Sequence, residues 1–407
     1  MTSTWLHRFA ILTALATLAL LGLGGLVTSH GVGMAVPDWP NTYGYNMFFF
    51  PISQWVGGIF YEHSHRLLAS GVGFLTTILA LWLYGKTARP FLGICGSILT
   101  LLGVGLILGT TRHRSDGVVL GIVGIVGLGA SCLWPRCEPS PKWLRRMGVV
   151  AFFAVVLQGV LGGLRVVLFK DQIGIFHATL AQLFFVLTCA LALWTSPSWQ
   201  ATAKKAPRSP SVSRLLSRLF LFATVLILAQ LVLGATMRHQ HAGLSIPDFP
   251  LAYGKLWPAM DPASVTHYNQ QRLEVVALNP ITATQIVLQL IHRAMALVIL
   301  GSVGLCAWSA RCQLGRKDAL ARLSLLWMSL ILIQALLGAA TIWSNKAADI
   351  ATLHVMVGAL SLASGTMLSI IAFRRTEAAA DNQASRTDQA DSPVAFGTRP
   401  STVTGLH

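Results

Sequence analysis

Long, uninterrupted apolar runs dominate this chain and restrict the folds open to it. Of its 407 residues, 54% are hydrophobic and only 11% are charged, whereas soluble domains carry about 25% charged residues. A helix needs about 20 mainly apolar residues to cross a bilayer. The pattern predicts an all-α polytopic membrane protein of about ten spans. The apolar runs lie near residues 9–29, 64–84, 92–110, 117–134, 147–168, 174–194, 215–235, 284–309, 320–342 and 350–373.

The positive charge of the chain follows the order of these runs. The formal net charge is +16, and Lys and Arg cluster in alternate connections, such as 136–146 and 204–218. Short loops rich in Lys and Arg stay on the cytoplasmic side. We therefore expect an inner-membrane protein with both termini in the cytoplasm and the long loops 30–62 and 237–283 outside. The charge indicates membrane topology in a lipid bilayer, and no nucleic-acid partner.

Two parts of the chain match each other. Residues 33–40 match residues 243–250 at an offset of 210, and each copy contains a Pro-Asp-aromatic-Pro motif. Each half starts and ends inside, which makes a parallel repeat. The run 9–29 resembles a secretory signal peptide, but its partner at 215–235 indicates a retained span. We predict two pseudo-symmetric four-helix bundles with eight core transmembrane helices.

The first half contains about 51 residues that have no counterpart in the second, because the offset between the copies falls from 227 at Glu62 and Gln289 to 176 at Gln158 and Gln334. The excess falls at about 90–140 and predicts an inserted helical hairpin. This hairpin either spans the membrane or forms a re-entrant or interfacial pair. The predicted organisation is an N-terminal half at 1–200 with the hairpin, a cytoplasmic linker at 201–214, a C-terminal half at 215–375 and a disordered cytoplasmic tail at 376–407.

Each half carries two histidines near the outer ends of its spans. His65 and His177 lie in the first half, and His292 and His354 lie at the matching places of the second. Ionisable groups inside spans are costly and often functional. Two imidazoles from facing helices can bind haem iron from both sides within a bundle. The pattern therefore predicts one haem site per half. Packing histidines are the alternative, and copper or zinc would normally gather further ligands of mixed type.

An acidic residue distinguishes the two predicted sites. Glu62 precedes His65 by three positions, which places both on one helix face, whereas Gln289 at the matching position cannot titrate. Glu62 is predicted to move protons or to stabilise developing positive charge in the first half. The alternative is a carboxylate that only begins a helix. Arg66 and Arg293, next to the predicted ligands, are expected to pair with haem propionates.

Other polar residues near the outer side receive simpler interpretations. Histidines without a matched partner, such as His63 and His239, are expected to be solvated or locally hydrogen-bonded. The two Pro-Asp-aromatic-Pro motifs are expected to form tight interfacial structures over the haem pockets. The six cysteines lie in spans or inner connections, so no structural disulfide is expected.

Together these motifs resemble those of the haem A synthase family of the cytochrome oxidase assembly pathway. The resemblance covers about residues 5–375, apart from 90–140. It implies that the first half oxidises the C8 methyl group of haem O to the formyl group of haem A, by successive hydroxylations and loss of water. It also implies a farnesyltransferase, haem O synthase, as the partner that supplies haem O.

The resemblance assigns roles to the matched residues. His65 and His177 match the ligands of the substrate haem, Glu62 matches the essential acid, and His292 and His354 match the ligands of haem b. Many bacterial relatives carry a cysteine pair in the first outer loop, but this chain has none there. A redox role for such a pair therefore does not carry over. The electron acceptor and a homo-oligomeric state remain open.

Two other functions fit the same histidine pattern. One is a two-haem b-type protein that transfers electrons between a quinol and an outer acceptor. Transfer across a membrane favours cofactors near both faces, whereas all four histidines here are expected near one face. The other is a haem transporter or chaperone without catalysis, and the role of Glu62 discriminates between it and an enzyme.

Overall fold

A computed structural model describes residues 4–109, 111, 113–168, 170–202, 211–271 and 280–390, with side chains up to Glu377. Helices make up most of the described chain, which contains no β-strand, so the predicted all-α class is confirmed. Within these residues, nine helical segments are long and apolar enough to cross a membrane. One of them, Gly57–Gly109, is divided by a short 3₁₀ turn into two helices. The expectation of a polytopic membrane protein is confirmed.

The helices have the following bounds. They are α1 Thr4–Ser29, α2 Gly57–Tyr84, α3 Ala88–Gly109, α4 Arg114–Leu133, α5 Lys142–Leu168, α6 Asp171–Thr195, α7 Pro197–Thr202, α8 Arg214–His239, α9 Pro262–Gln271, α10 Ala283–Leu314, α11 Ala319–Trp343 and α12 Ala348–Ala390.

Side-chain caps begin several of these helices. Ser213 accepts a hydrogen bond from the backbone N–H of Leu216 at the start of α8. Thr282 and Gln285 form a reciprocal capping box at the start of α10. Such caps satisfy backbone N–H groups that have no partner within the helix. The helix that carries His292 therefore has a defined beginning at the end of the bundle where that histidine lies.

Helices α1, α2, α5 and α6 pack into a first four-helix bundle, and α8, α10, α11 and α12 pack into a second. Leu79, Leu144 and Leu191 belong to the buried core of the first bundle, and Phe220 and Trp327 to that of the second. The bundles meet through α1, α6, α8 and α12. We call the end of the bundles that carries residues 30–56 and 240–271 the outer end.

The inserted segment forms a hairpin of α3 and α4. Their backbones touch along glycines, since an ideal Cβ on Gly124 would lie 2.4 Å from the Thr100 nitrogen, which is the close approach that small residues permit between membrane helices. The Asn46 amide of the first outer loop donates to Asp116 at 2.8 Å. The beginning of α4 therefore lies at the outer end.

The two ends of the inserted segment meet at the inner end of α2. The backbone N–H of Lys86 donates to the carbonyl of Cys137 at 2.9 Å, and the N–H of Ser140 donates to the carbonyl of Leu83 at 2.9 Å. The chain therefore leaves the first bundle and returns to it at nearly the same place.

The end of the chain differs from the prediction of a disordered tail at 376–407. Helix α12 continues through Ala390, so residues 376–390 are helical. The run from Glu377 to Ala380 consists of residues with high helix propensity, which extends the last span as a helix. Residues 391–407, and 203–210 of the predicted linker, lie outside the described residues.

Candidate functional site

Each of the four predicted ligand histidines packs against a glycine of a neighbouring helix in its own bundle. Because glycine has no Cβ, the imidazole can enter the space between the two helices. A Cβ atom added to each glycine would lie very close to Cε1 of the facing imidazole. The distances are 2.9 Å for Gly24 and His65, 3.3 Å for Gly162 and His177, 3.3 Å for Gly234 and His292, and 3.2 Å for Gly338 and His354. The repeat thus extends to the contact partners of the histidines.

The structure brings the histidines together in two pairs. His65 is close enough to interact electrostatically with His177, and His292 with His354. The Nδ1 atoms of all four are buried and have no hydrogen-bond partner in the described part of the chain. A buried nitrogen without a partner is costly, and no described group of the protein holds these rings through Nδ1. The two imidazoles of each half are therefore available to a metal such as haem iron, to which either ring nitrogen can bind.

Glutamines support the backbone of two of these histidines. Gln158 Nε2 donates to the carbonyl of His177 at 3.1 Å, and Gln230 Nε2 donates to the carbonyl of His292 at 2.9 Å. Gln230 and Gln334 also line a cavity of about 50 Å³ one turn inward from the second pair. It has room for a few water molecules. A macrocycle is much larger, so this cavity cannot hold one.

Glu62 and Gln289 hold the outer loops in the same way. Glu62 is only 4% exposed, and its Oε2 accepts from the backbone N–H of Val36 at 2.8 Å. Gln289 Oε1 accepts from the N–H of Ile246, the matching loop residue, at 2.7 Å. The other oxygen of Glu62 forms an ion pair with Arg66 at 2.7 Å. The position is therefore a loop contact in both halves, and a role of Glu62 in proton movement stays a prediction.

Arg66 and Arg293 contact the same loops. Arg66 Nη1 donates to the carbonyls of Asp38 at 2.6 Å and Asn41 at 3.0 Å. Arg293 Nη2 donates to the carbonyl of Asp248 at 2.7 Å. Guanidinium groups suit such fixed multiple contacts because their donors form a rigid fork. Both arginines are thus engaged in holding the loops, and their pairing with haem propionates stays a prediction.

The Pro-Asp-aromatic-Pro motifs form compact loops at the outer end. The Asp38 carboxylate accepts hydrogen bonds from the backbone N–H groups of Tyr43 and Gly44, both at 2.8 Å. Asp248 makes the same two contacts in the second half. Gly44 has a φ of 79°, a conformation that glycine adopts without strain. Each loop is therefore a preformed structure over the outer end of its bundle.

This arrangement matches a known family over most of its length. The model of a family described as cytochrome oxidase assembly protein (COX15-CtaA) matches residues 7–366. The chain belongs to this family. A curated relative from Shouchella clausii (strain KSM-K16), named "Heme A synthase", is 24% identical over 255 residues, which cover 62% of this chain and 65% of the relative. The chain thus spans just under two thirds of that relative, and the resemblance inferred from its motifs is confirmed.

In this family member, Trp39 of the first outer loop packs against α5, the neighbour of the helix that carries His177. An ideal Cβ on Gly163 would lie 2.3 Å from a ring carbon of Trp39. The matching positions in the second half carry Phe249 and Ala339. A larger ring therefore pairs with a glycine in the first half, and a smaller ring occurs with an alanine in the second.

Gly163→Ala is expected to displace Trp39 and to lower the stability of the protein by about 1–3 kcal/mol, the usual cost of overpacking. The midpoint of thermal unfolding in detergent measures this effect. Combining Gly163→Ala with Trp39→Phe reproduces the second half and should restore the midpoint. Gly159→Ala on the same helix is the control, since nothing lies within 4 Å of its Cβ position. An unchanged midpoint for Gly163→Ala would contradict the contact.

Two histidines that were expected to be solvated or locally hydrogen-bonded are buried. His63 is fully buried, lies 3.2 Å from the Thr42 hydroxyl and packs against Phe50 and Trp55. His239 is 7% exposed. Its ring packs on Gly174 of α6, so a residue of the second half enters the first bundle. Neither ring is solvated, and His63 has the local hydrogen bond that was the other expectation. No motif in the sequence indicates the contact of His239.

Sequence reasoning also missed two arginines that lie near the paired histidines. Arg165 interacts electrostatically with His65 and His177, and Arg238 interacts electrostatically with His354. Their matching positions in the other halves are Thr341 and Thr28. Because the repeat does not include them, a search for repeated motifs cannot find them.

Proposed function

We propose that this member of the family is a haem A synthase, which oxidises the C8 methyl group of haem O to a formyl group by successive hydroxylations. The observation that supports it best is the combination of one imidazole pair per half with a buried carboxylate, Glu62, beside only one of them. The relative named "Heme A synthase" supports the same reaction. The chemical step is proposed in the first half, and retention of haem b in the second.

The residues of the chain have distinct tasks in this proposal. His65 and His177 hold the iron of the substrate, and His292 and His354 hold the iron of haem b. Bound haem supplies the redox chemistry. Glu62 holds or moves a proton at the first site. Conversion of the methyl group to a formyl group takes one oxygen atom from water and releases four protons and four electrons, and the electrons leave to an acceptor of unidentified chemistry.

The proposed setting is the inner membrane, with both termini in the cytoplasm and both sites near the outer face. The distribution of Lys and Arg supports this orientation. Haem O is proposed to arrive from haem O synthase. All four ligand histidines lie near the beginning of helices that start at the outer end, which disfavours a carrier that moves electrons across the whole membrane.

Pigment extraction tests the proposal directly. The chain is co-expressed with a source of haem O, and the extracted haems are identified by mass. We expect a formyl-bearing haem A together with retained haem b, and only haem O from the source expressed alone. Purified protein that binds haem O but never converts it under any oxidant would support a transporter or chaperone instead.

A further inference from the structure

The histidine pairs account for the iron of a bound haem, but not for its propionate carboxylates. The arginines next to the histidines, Arg66 and Arg293, each donate to two or more loop carbonyls, although Nε of Arg293 is buried without a partner in the described part of the chain. A buried carboxylate needs a partner of opposite charge or several donors. Two further arginines close to the paired histidines, Arg165 and Arg238, could supply such donors.

Arg165 lies on the face of α5 that is turned toward the first pair. Gly162, which contacts His177, precedes it by three positions and therefore shares its helix face. The guanidinium reaches the first outer loop, with Nη2 3.3 Å from the ideal Cβ of Gly33. Among the described residues, no group forms a hydrogen bond or an ion pair with it. Its donors thus point toward the outer side of the first pair without a protein acceptor.

Arg238 has the corresponding place at the second pair. Gly234, which contacts His292, precedes it by four positions on α8. Its Nη2 donates to the carbonyl of Gly25 at 2.6 Å and to Ser29 Oγ at 2.5 Å. Its Nε is buried and has no partner in the described part of the chain. One side of this guanidinium is therefore fixed by α1, and the other retains an unused donor.

The charges around the two arginines do not balance. Arg165 and Arg238 are close enough to repel each other electrostatically. Of the nearby carboxylates, Glu62 is neutralised by Arg66 at 2.7 Å, and Asp171 is exposed to the surroundings. Like charges in a medium of low dielectric constant are costly. An anionic ligand at this position would lower that cost.

We propose that Arg165 and Arg238 bind the propionate carboxylates of the macrocycles in the first and the second half, respectively. This inference rests on the proposed function, because it requires haem between the paired histidines. It also makes the two sites unequal, since Arg165 comes from the third core helix of its half and Arg238 from the first core helix of its half. The repeat therefore duplicates the iron ligands but not the carboxylate partners.

Haem and its propionate dimethyl ester distinguish this role from a structural one. The full-length chain, purified in detergent without haem, is titrated with haem b and with the diester, and the low-spin absorption band reports binding. A His65→Ala background restricts the titration to the second site. The unmodified Arg238 protein should prefer haem b over the diester. Arg238→Gln should weaken binding of haem b by about tenfold to a hundredfold, the range for a lost charged hydrogen bond, and leave diester binding unchanged.

The same comparison tests the first site, with Arg165→Gln in a His354→Ala background.

Two control variants concern the second site. Arg238→Lys retains the charge and should keep much of the preference for haem b. Arg311→Gln, at the inner end of α10, should not change the preference. Diester binding within each variant controls for folding, because a misfolded chain loses both ligands. The assignment is overturned if Arg238→Gln keeps the full preference, or if Arg293→Gln removes it instead.

The outcomes for the chain with unaltered arginines separate the two proposals. If it binds neither haem b nor the diester with a low-spin spectrum, the proposed haem sites are wrong. If it binds both with equal affinity, the haem sites stand and only the assignment of the arginines fails.

Discussion

Glu62→Gln is expected to stop haem A formation while haem b remains bound. The second half shows why this change is selective, because Gln289 accepts a hydrogen bond from Ile246 at 2.7 Å, as Glu62 does from Val36 at 2.8 Å. The amide thus keeps the contact with the loop backbone and removes the charge, the titratable proton and the ion pair with Arg66. General acid–base groups contribute about 10²–10⁴-fold to rates, and we expect a loss in that range. Haem A per bound haem b, measured after extraction, reports it.

Two further variants separate the chemistry of Glu62 from its contact with the loop. Gln289→Glu makes the reciprocal change in the second half and should leave haem A formation close to the wild-type rate. Glu62→Ala removes both the charge and the loop contact, so it should lose stability in addition to activity. Haem A formation at the wild-type rate in Glu62→Gln would show that the carboxylate acts only as a loop anchor.

His354→Ala is expected to remove haem b from the second half. The histidine supplies one of the two proposed axial ligands, and alanine leaves the other imidazole, His292, without its partner across the iron. Loss of residues that only orient metal ligands already costs about 10–100-fold in affinity, so loss of a ligand should cost more than about 100-fold. The low-spin ferrous α-band of the purified protein, together with the extracted haem b, measures this loss.

Matched variants show whether the effect belongs to the ligand position. His292→Ala should have the same effect as His354→Ala, because the two imidazoles form one pair. His267→Ala, at an exposed position of the outer helix α9, should leave haem b in place. Retention of the α-band in both ligand variants would mean that the iron is bound elsewhere.

The sequence was sufficient to predict the helical membrane architecture, and it also led to the prediction of the paired histidines. Both rest on periodic or repeated signals, namely apolar runs and motifs that recur at a constant offset. The contacts of Glu62 and Arg66 could not be predicted in this way. A helix places them on one face, but only the folded loop shows that the backbone N–H of Val36 and the carbonyl of Asp38 reach them.

Residues that break the repeat were the hardest to predict. His239 enters the first bundle because Gly174 of α6 leaves space for its ring, and these two residues belong to different halves. Arg165 and Arg238 have threonines at their matching positions. Their significance depends on how the two bundles pack against each other, which local propensity and periodicity do not encode.

The hydrogen bonds that join Leu83 to Ser140 and Lys86 to Cys137 have an evolutionary consequence. A chain that went directly from one side of this junction to the other would keep the same four core helices, in the same order and direction. The junction is therefore a tolerant graft point, at which an ancestor could gain or lose a whole pair of spans in one event. The first bundle could then acquire a new lipid-facing flank without any change to the residues that surround its histidine pair.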